Sequence, residues 1–401
     1  MRLAVGMLTL AGCYGPTPHA GAPCGEGGAC PTPLVCAVST STCEIDPSTI
    51  DPPGDGGASD GKLTDGTIEP SPDAPDLCFG TGLVTTCLDS VPTMPLTVGS
   101  SMAIDTSNNA NCTMMIGASP ELCVIAATKI DIDGTFRAGG NRALVLISMT
   151  DIDVGPSGTI DVASRRTGGV GAGADVGCGA GTAPTSDGGG YGGSFSGKGG
   201  DGGDGITKIV TVGDGGVASP AATPAAQLRG GCPGSAGGSS GGAGGHGGGG
   251  MYLIARTRIS VAGTLNASGA GGGGCTDACG GGGGGAGGMI GLDAPEIAIT
   301  AAAEVMANGG GGGEGSYTAA SDAGDDPSSA AAAAAGGSGA SSGGGDGGAG
   351  AAGATRNGGN GGGASLTNPP GAGGGGGGGA AGVIKIHGAA DIDGAVSPPP
   401  S

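Results

Sequence analysis

Tryptophan is absent from this chain, and Tyr and Phe together number seven in 401 residues. Large rigid rings anchor most protein interfaces and stack against nucleobases, so binding here has to rest on other chemistry. Cations are scarce as well: 14 Lys and Arg stand against 34 Asp and Glu, a formal charge of −20. Such a charge repels polyanions and excludes nucleic acid as a partner, while leaving divalent cations open. The three histidines, His19, His246 and His387, are far apart, and no C-x2-C pair occurs. A clustered Cys/His metal site is therefore not expected.

What the chain has in excess is glycine, 103 residues, with 26 prolines. That fraction lies in the range where low complexity is the default reading. A collagen triple helix needs glycine at every third position, and the unbroken runs Gly281 to Gly285 and Gly373 to Gly379 exclude it.

Thirteen cysteines look unpaired until the N-terminus is read. Met1-Arg2 precedes an apolar run from Leu3 to Ala11, followed by Gly12-Cys13, which has the form of a secretory leader, residues 1–12. Leu10-Ala11-Gly12-Cys13 resembles the lipobox of bacterial lipoproteins, and that resemblance implies cleavage before Cys13, lipidation of Cys13 and attachment to the membrane through the lipid. Tyr14 in the next position, where the family's inner-membrane proteins carry Asp, implies the outer membrane, facing the cell surface or the periplasm. Twelve cysteines remain, in even groups: Cys24, Cys30, Cys36 and Cys43; Cys78, Cys87, Cys112 and Cys123; Cys178 with Cys232; Cys275 with Cys279. Even groups in an exported chain predict disulfides, with the pairing inside each group of four left open.

The composition divides the chain into a lipid-anchor segment, 13–23, a Cys-rich knot, 24–43, an acidic Pro/Gly linker, 44–77, and a body, 78–397. Within the body a segment recurs. Val124 to Gly140, Leu144 to Ser164, Met251 to Gly269 and Met289 to Gly309 can be laid over one another, and a thinner copy runs from Val383 to Ser397. Ile130 and Ile132 match Ile259 and Val261, and Gly134-Thr135 matches Gly263-Thr264. Alternation places Ile130 and Ile132 on one face of a strand and Asp131 and Asp133 on the other. Short β-branched strands repeating about every 20 residues predict an all-β fold, a parallel β-helix or solenoid whose coils bury one another's aliphatic faces. Two Gly-rich inserts, 167–250 and 309–382, interrupt it. They are either flexible loops or a bundle of polyproline-II-like strands, in which absent side chains let backbones bond directly. Ala330 to Ala335 could add one helical turn.

Glycine-rich sequence produces motifs by chance. Gly192 to Lys198 resembles a P-loop but ends in Gly199 where Ser or Thr is needed, and Gly237-x-Ser239-x-Gly241 and Gly339-x-Ser341-x-Gly343 lack the strand-turn-helix setting of a nucleophile elbow. Gly199 to Thr207, with Asp204, fits one calcium-binding nonapeptide, which by itself is half a site. Asp131 and Asp153 fall at equivalent places in adjacent repeats, with Asp133 and Asp151 beside them. Stacking would set like charges about 5 Å apart, which calls for solvent or a cation. Calcium at Asp131, Asp133, Asp151, Asp153 and Asp204 is the one cofactor the sequence suggests, against the plainer reading of a solvated acidic face. Those carboxylates could also form a glycosidase pair, but the aromatic platforms that grip sugars are missing, and catalysis is not expected.

The run Leu122 to Arg166, the segment Leu228 to Gly234, Tyr252 to Gly274, Met289 to Pro295 and Gly382 to Ile386 together resemble the Gly-rich cell-surface lipoproteins of myxobacteria and related predatory bacteria. The resemblance spans about residues 78 to 396 and implies location and architecture without a catalytic residue. The expectation is a non-catalytic surface lipoprotein with a structural or adhesive role toward matrix, cells or prey. The alternatives are a calcium- or polysaccharide-binding module and, further off, a β-helix carbohydrate-active enzyme. Its partners would be the membrane, through the lipid, and a polysaccharide or surface protein; the oligomeric state is open.

Overall fold

In the computed structural model, the described residues are 77–117, 121–206, 212–221, 227–338, 343–364 and 372–401, with positions 24, 29, 30, 34–37 and 42–45 nearer the N-terminus. Cys13, the leader and most of the linker lie outside them. The chain divides into two units, Met1–Asp73 and Ala74–Ser401. In the first, Leu34–Ala37 pairs antiparallel with Thr42–Ile45, and disulfides join Cys24 to Cys36 and Cys30 to Cys43.

The second unit is all-β, with one 3-10 turn at Asn109–Asn111 among the described residues. Its strands form three parallel ladders, the first two joined in one curled sheet. The first ladder runs through Leu122–Ala127, Ala143–Ser148, Gly250–Ala255, the front of Met289–Ile299 and the front of Val383–Ile392. The second holds Leu96–Val98, Ile130–Ile132, Asp151–Val154, Arg258–Val261 and the rear halves of the same two long strands. The third holds Met102–Asp105, Thr135–Gly139, Thr159–Asp161, Thr264–Asn266, Glu304–Met306 and Ala395–Ser397. Each successive stretch of chain visits the ladders in that order.

Register explains the sequence pattern. Ile130, Ile152, Ile259 and Ile297 stack in one row of the second ladder, and Phe136, Ile160, Leu265 and Val305 in one row of the third. Both rows, with Leu144, Met251 and Ile290 from the first ladder, form one buried core. Strands of the second ladder alternate because their other face is wet. Those of the first ladder, ALVLIS and GMYLIA, are buried throughout, as strands covered on both faces are. Their outward side chains Val124, Val145, Ile147 and Tyr252 meet a second cluster built from Phe79, Val84, Leu88, Phe195, Leu228, Ala286 and Ala380. The loop that supplies Phe79, Val84 and Leu88 is closed by Cys78–Cys87.

The glycine-rich segments form a hydrogen-bonded array. The N–H groups of Gly374, Gly377 and Ala380 donate to Asp187, Gly190 and Gly193; those of Gly373, Gly376 and Gly379 to Ser316, Gly313 and Gly310; those of Gly375, Gly378 and Ala381 to Gly362, Gly359 and Arg356, all at 2.8–2.9 Å. The carbonyls of the same segment accept from Gly281, Gly284 and Gly287, from Gly200 and Gly203, and from Gly345, Gly348 and Ala351. Partners advance in steps of three, and residues 373–381 have six neighbouring segments, three parallel and three antiparallel. Residues 280–288 are surrounded in the same way, donating to 374–380, 267–273 and 232–238 and accepting from 190–193, 242–248 and 310–313. This array includes a third excursion, residues 267–288, which overlaps the end of the repeat Met251 to Gly269 and runs to the next at Met289; it is not one of the two inserts expected from sequence. The alanine run forms no helical turn: Ala330 to Ala332 make a bend, and the carbonyls of Ala334 and Ala335 accept from Gly350 and Asp325.

Candidate functional site

The acidic cluster expected at Asp131 and Asp153 forms as a register pair, Asp153 opposite Asp131. The countercharge comes from the chain. Lys129 Nζ lies 2.6 Å from Asp131 and 3.0 Å from Asp153, and Arg258 stands 3.4 Å from Asp153 on the other side. Hydrogen bonds to Asp131 first, then Asp153, hold the Lys129 ammonium well above the usual lysine range. Asp151 is level with Arg258, and Asp133 is exposed. With Lys129→Ala the two carboxylates lose their shared cation, and the thermal midpoint should fall by the equivalent of about 1 kcal/mol, since the group is largely solvent-facing. Millimolar calcium should restore part of that loss in the variant and leave the parent unchanged at this site, as read by melting with and without chelator.

Asp204 sits apart from that cluster, exposed, with its carboxylate accepting from the Gly215 N–H at 2.9 Å. It belongs to an outer layer of the glycine array. Gly202 donates to Gly216, Gly361 to Asp201, Gly362 to Asp346, Gly347 to Gly337 and Asp325 to Ala335, so these segments lie side by side. Along that layer the side chains of Asp204, Asp214, Asp322, Asp325 and Asp346 are exposed, while Asp201 pairs with Lys198 at 2.7 Å. A step of three residues in an extended threefold chain is about 9 Å, the separation expected between Asp322 and Asp325.

A buried polar cluster escaped the sequence reading. Asp293, 3% exposed, accepts from the Thr81 N–H at 2.7 Å, the Thr81 hydroxyl at 2.9 Å, the Gly82 N–H at 2.9 Å and the Tyr252 hydroxyl at 3.2 Å. Tyr252 in turn accepts from the Leu83 N–H at 3.0 Å. Burial, then the Asp293 charge, pushes the Tyr252 phenol above its ordinary range. His387 stands beside Asp293 in register, with Nε2 buried and unpartnered and its ring filling the space a side chain at Gly82 would need. A small cleft opens there between Phe79, Thr81, Arg256, Asp293, Pro295 and His387. Every bond Asp293 accepts from residues 81–82 fastens the Cys78–Cys87 loop to the sheet. The signal in sequence was Asp293 in the buried front half, MIGLDA, of the strand MIGLDAPEIAI.

His246 Nδ1 lies 2.6 Å from Asp175, whose other oxygen accepts from the Gly247 N–H. The hydrogen bond to Asp175 raises the histidine's pKa. A raised folded pKa gives stability that is fully present below the unfolded value, about 6.5, and lost as pH rises through the folded value. The stability difference between the parent and His246→Gln should therefore shrink from pH 5.5 to pH 8.5, measured by denaturant titration. The remaining cysteines pair as Cys112–Cys123, Cys178–Cys232 and Cys275–Cys279. Cys178–Cys232 lies beside Arg229, whose guanidinium stacks 4.7 Å over Phe195 and donates to the Val176 and Gly177 carbonyls.

Comparison with protein-family models, curated proteins and solved structures gave no match.

Proposed function

We propose that this chain is a non-catalytic surface protein, anchored by lipid at Cys13, that winds as a five-coil β-solenoid and carries a side bundle of polyproline-II-type glycine helices. The observation that supports a structural or adhesive role is the six-neighbour glycine array. Ordering glycine is entropically the most expensive choice of residue, and here it is offset by backbone bonds on every side, so the bundle is a stiff support. Its outer layer presents carboxylates at fixed intervals on backbone that cannot bend to follow a ligand. That arrangement suits repeated, low-affinity contact with an extended partner such as matrix or a cell surface.

Limited proteolysis of the oxidised protein addresses the scaffold. A resistant core covering residues 78 to 396, inserts included, is expected; cleavage throughout 167–250 and 309–382 would sink the stiff-bundle reading. Adhesion is addressed by capture of cells or matrix polysaccharide on surfaces coated with the protein. A variant with Asp204, Asp322, Asp325 and Asp346 changed to Asn should lose most of its capture while melting as the parent does. Equal capture by both would refute the role given to that layer. Capture that needs calcium would favour the cation-binding alternative. For the anchor, Cys13→Ser should shift the protein from the membrane fraction to the soluble fraction.

A further inference from the structure

The first ladder ends differently from the second and third, and in the same way at both ends. The first ladder is closed at its head by the antiparallel strand Met114–Ile116 and at its tail by the chain terminus, where the Ser401 N–H donates to the Ile384 carbonyl. The second and third ladders have no such closure among the described residues. Leu96–Val98 and Met102–Asp105 are edges at the head; the rear of Val383–Ile392 and Ala395–Ser397 are edges at the tail.

Backbone alternation tells which groups these edges present. The Leu96 N–H donates inward to Lys129 and the Thr106 N–H to Gly139, so the N–H groups of Thr97 and Ala103 point away from the head. The Asp393 N–H donates inward to Ile299 and the Ala395 N–H to Ala303, so those of Ala390 and Val396 point away from the tail. Apolar exposure gathers at the same places. Of nine large apolar side chains exposed among the described residues, Met94 and Met102 are at the open head and Ile392 is at the open tail, with Met94 72% and Ile392 40% exposed. Three of the five core side chains left partly open are there too: Leu96 and Ile104 at the head and Val396 at the tail.

We propose that the occupant of each edge is a second copy of this chain, stacked head to tail. The strands Leu96–Val98 and Met102–Asp105 of one copy would then continue the second and third ladders beyond Ile392 and Ser397 of the next. Parallel edges carry an extending row of donors and acceptors that another parallel strand completes, and the head of this chain is the continuation its own tail lacks. Pairing tail to tail would set Asp391 and Asp393 of one copy against those of the other, which like charges disfavour. A head-to-tail contact is heterologous and does not close, so it builds linear rows of copies. This inference is independent of what the acidic layer contacts.

The test is sedimentation of the full-length oxidised protein over a wide concentration range, with Ala103→Pro blocking the head and Ala390→Pro blocking the tail. Each proline removes an outward N–H and no internal bond, so melting should match the parent. Met102→Lys and Ile392→Lys serve if either proline variant melts early. The parent's average mass should climb with concentration, each blocked variant should stay a monomer, and an equimolar mixture should stop at twice the monomer mass. A monomeric parent at every concentration overturns the proposal, as it would if the chain's own N-terminal residues cover the edges. Dimers of Ala103→Pro alone would mean tail-to-tail pairing and overturn it as well.

Discussion

Gly377→Ala is expected to lower the stability of the body by about 4–5 kcal/mol, more than most single substitutions. Gly377 lies in the segment with six neighbours; its N–H donates to Gly190 and its carbonyl accepts from Gly284. A Cβ there would fall on the Gly200 carbonyl oxygen. Overpacking an ordinary core costs about 1–3 kcal/mol because side chains can turn aside. Here the obstacle is backbone, itself bonded on other sides, so relief means breaking hydrogen bonds in several segments together. Ala380, three residues on, is the control: its methyl is already buried in the cluster with Phe195 and Leu228, and Ala380→Gly should cost about 1 kcal/mol. Denaturant titration of the oxidised proteins compares them. Equal losses in the two variants would mean that the array yields like a loose loop.

Asp293→Ala should cost about 4 kcal/mol and free the Cys78–Cys87 loop. The substitution strips the acceptor from two part-buried N–H groups and two hydroxyls, one of them buried, and a buried donor left without a partner costs about 1–3 kcal/mol. The full sum is not reached, because the loop can undock and hydrate its donors. Undocking then exposes Phe79, Val84 and Leu88, each 5–6% exposed in place, which limits how far it relieves the loss. Tyr252→Phe, which removes the bond to Asp293 and the one from the Leu83 N–H and keeps the ring, should cost about 1–2 kcal/mol. Hydrogen exchange resolved over residues 77–88 reads both. Unchanged protection of that loop in Asp293→Ala would show that apolar packing alone holds it.

The ladders were legible because their side chains differ along the chain. Ile130 and Ile132 match Ile259 and Val261 in sequence, and they share rows through Ile152 and Val154 in register; Thr135, Thr159 and Thr264 likewise share a row. The glycine array was not legible to that depth. One glycine reads like another, so nothing local says that Gly377 meets Gly190 on one side and Gly284 on another. The excursion 267–288 was missed for the same reason, being too short to stand out from the glycine around it. Lys129 was overlooked between Asp131 and Asp153 because the spacing that brings it to both exists only once adjacent strands pair. Asp293 and Thr81 are 212 residues apart, and no window of sequence contains both.

The segment at the middle of the glycine array, residues 373–381, follows all six of its neighbours in the chain. The excursions that surround it, from residue 187 to residue 362, emerge first and have a vacant centre until it arrives. Until it is made, the earlier excursions must therefore stay soluble without their central partner. Their glycine-rich composition, sparse in large apolar side chains, gives them little to aggregate through. A chain stopped short of residue 372 would lose the common partner of six segments at once, so truncation near the C-terminus should be as damaging as the loss of any one excursion.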